Sequence, residues 1–74
     1  MDPQAAWQRL LDGYSDKDWP EVEDVASGLL DWLNGNGFPP RTSPNHELGD
    51  EWDRAVTRFA CQFALDQARS GDRR

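Results

Sequence analysis

Apolar residues recur at helical spacing in three stretches of this chain, separated by polar, glycine and proline-rich runs. The clearest runs from Trp19 to Leu33. At about 100° per residue, Val22, Ala26, Leu29 and Leu33 form the centre of one face. Val25 and Trp32 flank it on one side, Trp19 and Leu30 on the other, and Glu23, Asp24, Ser27, Asp31 and Asn34 fill the back. Asp18 is placed as an N-cap, with Glu21 three residues on to reach back as in a capping box, and Pro20 suits the first turn. The stop is strong as well. Gly35 or Gly37 can take the left-handed C-cap conformation, Pro39-Pro40 forbids continuation, and Phe38 is placed to fold back on the last turn. A helix is therefore expected over about 19–34. Gly28 inside it costs about 1 kcal/mol against alanine, and either makes room for a close neighbour or marks a tolerant surface site.

Upstream, Asp2-Pro3 is an N-cap followed by proline at the first helical position. Trp7, Leu10, Leu11 and Tyr14 follow at i, i+3, i+4 and i+7, and Gly13 is a natural stop, which predicts a helix over about 3–13. About three turns do not hold alone, so this helix must pack, and the short polar turn at 15–18 favours an antiparallel hairpin with the next. Downstream, 38–49 is an aperiodic, Pro-rich connection. A longer third helix is expected over about 45–69, its start left open between Ser43-Pro44 and Asp50 because Gly49 intervenes. Its main face is expected to be Leu48, Trp52, Ala55, Val56, Phe59, Ala60 and Phe63. A second stripe, Cys61, Ala64, Leu65 and Ala68, lies on the other side; it either seats the first helix or forms a dimer seam through Cys61, Leu65 and Ala68. Residues 70–74 read as a frayed tail. The pattern as a whole predicts one all-α domain over 1–74, a small three-helix bundle in which a hairpin is closed by a longer third helix.

The hairpin resembles a single tetratricopeptide-type repeat. Trp7, Leu10 and Tyr14 match its Trp-x-x-Leu…Tyr spacing, and Asp18-Trp19-Pro20-Glu21-Val22 is similar to the entry of its second helix, with Ala26, Leu29 and Leu30 in register. Leu11 stands where the repeat has a small residue, the turn is one residue short, and no second copy follows. The resemblance covers about half the chain and implies helix-pair geometry, without a peptide-binding groove. The longer string, Leu-Leu-Asp-Trp-Leu, then Gly-Phe-Pro-Pro, then a helix with one mid-helix cysteine, resembles short bacterial proteins of the Gly-Phe-Pro-Pro type. That likeness implies a bacterial source and no activity.

Charge narrows the function. The formal net charge is −6, and residues 12–31 account for all of it, with seven acids against Lys17 alone. Direct nucleic-acid binding through that surface would meet phosphate repulsion. A single cysteine forms no internal disulfide, the N-terminus lacks a basic region followed by an apolar one, and no apolar run approaches the ~20 residues of a membrane helix. A cytoplasmic protein is expected, with no membrane association.

Chemical motifs are thin. His46 with Glu47, Asp50 and Asp53 is the one cluster resembling a metal or acid–base site, but it lacks a second histidine or thiol at ligand spacing; a solvated helix start explains the same residues. Cys61 has no histidine at helical spacing and reads as a small buried hydrophobe. Gly35-Asn36-Gly37 is followed by Phe-Pro-Pro and no helix, so it is not a phosphate loop. No catalytic residue and no cofactor is expected. The leading expectation is a non-enzymatic protein–protein interaction module. The acidic outer face of the second helix (Glu21, Glu23, Asp24, Asp31) would steer a basic protein partner, with Trp32 as an apolar anchor unless it packs on Phe38 as core. The alternatives are an acidic nucleic-acid mimic that inhibits a DNA-binding protein, and small-molecule or metal binding in the 38–53 loop.

Overall fold

The computed structural model describes residues 1–71 and contains α1 (Pro3–Ser15), α2 (Trp19–Asn34) and α3 (Asp50–Gly71). The fold is all-α: an antiparallel hairpin closed by a longer third helix. The carboxylate of Asp2 caps α1, accepting from the backbone N–H of Gln4 at 3.1 Å and of Ala5 at 3.2 Å. Gly13, expected as the stop, lies buried inside the helix instead. A Cβ there would stand 3.3 Å from Val22 Cγ2, so its absence lets α2 come close. The chain turns two residues later. Lys17 takes φ 57°, and the N–H groups of Lys17 and Asp18 donate to the carbonyls of Tyr14 and Gly13 at 3.1 and 2.9 Å. That pair of bonds is a Schellman closure.

The second helix has the expected bounds but not the expected N-cap. The Asp18 side chain makes no cap hydrogen bond. Its carbonyl accepts from the Val22 N–H at 3.0 Å, while Glu21, expected to reach back, pairs with Arg9 of α1 at 2.7 Å. At the other end the left-handed residue is Asn36, at φ 67°, rather than Gly35 or Gly37. Asn36 and Gly37 donate to the carbonyls of Leu33 and Trp32 at 3.1 and 2.8 Å, a second Schellman closure. Gly37 is needed for another reason: a Cβ there would lie 2.3 Å from Cε2 of the Trp32 ring.

The third helix begins at Asp50, not near 45. Gly49, whose carbonyl accepts from the Asp53 N–H at 3.1 Å, has φ 98°, and an L-residue helix cannot continue back through that conformation. At its other end Ser70 and Gly71 belong to the helix; the rest of the expected tail lies outside the described residues.

Both α1 and α3 pack on α2 and scarcely touch each other. The core is built from Ala6, Trp7 and Leu10 of α1, Val22, Val25, Ala26 and Leu29 of α2, and Cys61, Ala64, Leu65 and Ala68 of α3. The face chosen for α3 from sequence is therefore reversed. Leu48, Trp52, Ala55, Phe59 and Phe63 are exposed, Val56 and Ala60 sit half-buried at the edge, and the small-residue stripe faces inward. The reason is steric. Leu29 of α2 brings bulk to the same core cluster, where the short side chains of Cys61, Ala64 and Ala68 let α3 pack closely on α2. Cys61, Leu65 and Ala68 are consequently spent on α2 and are not available as a dimer seam.

Candidate functional site

On α2, Asp24 and Asp31 are exposed on the side away from the core, with Glu23 half-buried beside them. Glu21 is drawn off toward α1, and its carboxylate holds the Arg9 guanidinium above the usual arginine range through a hydrogen bond and its charge. Glu23 and Asp24 border a shallow surface with Pro20 and Ser27. This is a charged face with an open, half-polar hollow of about 480 Å³.

Trp32 is half-buried and committed within the fold. Its indole Nε1–H donates to the Phe38 carbonyl at 2.8 Å, its ring meets that of Phe38 edge-on at 5.8 Å, and it covers Gly37. Phe38 does fold back on the last turn, as expected, though its own ring stays exposed. Arg54 locks the same corner from α3, donating to the carbonyls of Leu33 at 3.2 Å and Gly37 at 3.1 Å, where cationic charge also suits the C-terminal end of α2. Trp32 acts as a latch on the turn, and its polar handle has no capacity left for a partner.

The 38–49 connection is tied near its start to both α1 and α3. Gln4 exchanges two hydrogen bonds with the Arg41 backbone, accepting from its N–H at 2.8 Å and donating to its carbonyl at 3.3 Å. Asp53 Oδ1 accepts from the Thr42 N–H at 3.1 Å and hydroxyl at 2.8 Å. Asp53 is thereby a fastening of the loop to α3. Glu47 and Asp50 border a recess of about 230 Å³ with Arg41 and Gly49, and His46 is not among its lining residues. Among the described residues no group of three or more His, Cys, Asp or Glu side chains is arranged to hold a metal ion.

Cys61 is fully buried, and burial pushes its thiol up to about 11, so at neutral pH it is a protonated, shielded group. One turn before it, Thr57 is also fully buried, and its hydroxyl has no hydrogen-bond partner among the described residues.

The feature that stands out is the outward face of α3. Trp52, Phe59 and Phe63 recur at i, i+7 and i+11, directly opposite Cys61 and Ala68 on the helix. They are 50, 72 and 47% exposed, and Leu11 of α1 beside them is 44% exposed. Phe59 and Phe63 stack at 6.5 Å between centroids, and Tyr14 lies 6.1 Å from Phe63, carrying the aromatic surface across to α1. Where α1 and α3 diverge, Leu10, Leu11, Tyr14, Phe59 and Phe63 line an open apolar groove of about 300 Å³. The sequence reading recognised every one of these residues as apolar and periodic but assigned the α3 ones to the core; exposure depends on which stripe α2 selects. Among the described residues, no helix is long and apolar enough to cross a membrane. Compared with models of known families, with curated proteins and with solved structures, the chain finds no match.

Proposed function

We propose that this protein is a non-enzymatic protein–protein interaction module whose contact surface is the outer face of α3 with the adjoining edge of α1. One observation carries the reading: three aromatic side chains point into water from the side of α3 opposite its core. At about 150–250 Å² per aromatic side chain, their exposed fractions leave roughly 250–420 Å² of apolar surface uncovered, which reaches the lower part of the range of the largest patch on a typical monomer, often functional. Aromatic residues of this kind dominate the energetics of interface centres. The exposed acids of α2, Asp24 and Asp31, lie on another side of the molecule and supply long-range steering toward a basic region rather than the contact itself. The tetratricopeptide likeness contributes only helix-pair geometry to this reading.

The test is recovery of the protein under gentle conditions from its own cells, with native mass spectrometry of what it carries. Phe59→Glu should abolish the association. Asp24→Lys with Asp31→Lys should weaken it and flatten its salt dependence, leaving the helical content unchanged. An association that survives Phe59→Glu undiminished would overturn the assignment of the surface.

A further inference from the structure

Resting on that reading, we infer that the occupant of the α3 face is a second copy of this chain, paired antiparallel α3 to α3 about a twofold axis. Three observations select a copy over a basic partner.

The first is the distribution of charge. The whole net charge of −6 belongs to residues 12–31, and the exposed acids of α2 lie on its side away from the core. The groove residues are all uncharged. No acidic side chain lines the groove to receive a basic helix, whereas two copies meeting there keep the exposed acids of α2 apart. The second is the polarity of α3 itself, whose exposed first-turn acids are Asp50 and Glu51 and whose last turn carries Arg69. Antiparallel pairing sets each copy's acidic end beside the basic end of the other, so the helix is complementary to itself. The third is size. Roughly 250–420 Å² of aromatic surface on each copy, to which exposed Leu11, Gln62 and Asp66 add, is up to about half the ~800 Å² per partner of a standard interface and suits a dimer of micromolar strength. A groove of about 300 Å³ has room for one aromatic side chain, and Phe59 is the most exposed of the three α3 rings. Isologous pairing then covers aromatic with aromatic, and the same residues serve on both sides.

The decisive experiment is sedimentation equilibrium on the full chain across about 1–300 μM, a span that brackets micromolar dissociation. The wild type should be a dimer that dissociates in the micromolar range. Phe59→Glu should weaken it on the order of 1,000-fold, because each dimer loses two central contacts, with the helical circular dichroism unchanged; Trp52→Gln serves as the second variant on the same face if Phe59→Glu loses helicity. Glu51→Arg should weaken the dimer, and Glu51→Arg with Arg69→Glu should restore it, since only an antiparallel pair brings those positions together. A dimer indifferent to Phe59→Glu, or one not restored by the double reversal, would overturn the pairing. A wild type monomeric throughout overturns the second copy, and the module reading is then judged separately. A different, stoichiometric partner lost on Phe59→Glu would keep the module, and no such partner would sink both.

Discussion

The two apolar stripes of α3 obey the same helical period and meet opposite fates. The inner one is Thr57, Cys61, Ala64, Leu65 and Ala68; the outer one is Trp52, Phe59 and Phe63. Ranked by hydrophobicity, the outer stripe should have won. It did not, because burial is a property of the pair of surfaces: α2 presents Val22, Val25 and Leu29 to the core, and the short side chains of Cys61, Ala64 and Ala68 complement them. Bulk left over after the core has closed becomes surface. Substitutions on the two stripes should therefore have opposite consequences for folding.

The largest effect is expected on the inner contact. Leu29→Ala, at a fully buried position, should cost about 2–5 kcal/mol. A chain this short has only a few kcal/mol in hand, so chemical denaturation should find the variant largely unfolded. From the facing side, Ala68→Leu should cost about 1–3 kcal/mol by overpacking. A well-folded Ala68→Leu variant of wild-type stability would mean that α2 and α3 are not in close contact there.

Cys61 sharpens the comparison through pH. Its folded-state thiol, pushed up to about 11 from 9.0 by burial, binds its proton more tightly than the unfolded one. The stabilisation is fully present below pH 9.0 and is lost as pH rises through about 11. Denaturation midpoints should fall across that window, and Cys61→Ala should flatten this part of the curve. A thiol reagent at neutral pH should modify the folded protein only as fast as it opens. Immediate stoichiometric labelling would contradict the inward placement of the stripe.

These elements also show how far the sequence could be read. The bounds and buried face of α2 were legible, since its period, Pro20 and the Gly-Phe-Pro-Pro stop are local signals, but its caps were not. The turn chemistry was only half legible. Glycine was the natural choice for the left-handed cap, yet Asn36 and Lys17 take it, while Gly37 and Gly13 serve close approaches to Trp32 and Val22. Those approaches are tertiary, and no window of sequence contains them. The same holds for the candidate surface: the acids of α2 and Trp32 were visible, but not that Glu21 would turn to Arg9 or that Trp32 would spend its N–H on Phe38. The choice between the α3 stripes was beyond the pattern, because both stripes are amphipathic and only the core face of another helix decides between them.

A smaller effect should come from Thr57, whose buried hydroxyl lacks a partner among the described residues. Thr57→Val keeps the shape and removes the unpaired group, so thermal and chemical denaturation should show a gain of about 1 kcal/mol. A loss of similar size would reveal that the hydroxyl is paired in solution and that the inner stripe is less dry than its packing implies.

The smallest effect belongs to the outer stripe, and it is the most telling. Phe59 is 72% exposed, so its ring contributes little to the fold of a single copy. Phe59→Ser should change the unfolding free energy by less than about 0.5 kcal/mol, as surface substitutions do. The measurement must be made well below micromolar concentration. Association through Phe59 would otherwise stabilise the wild type by mass action and make the substitution look like a core defect. Repeated at high concentration, the same comparison should open a gap between wild type and variant that grows with the logarithm of protein concentration. A gap already present at low concentration would mean that Phe59 supports the monomer, and the division of α3 into a folding face and a binding face would fail.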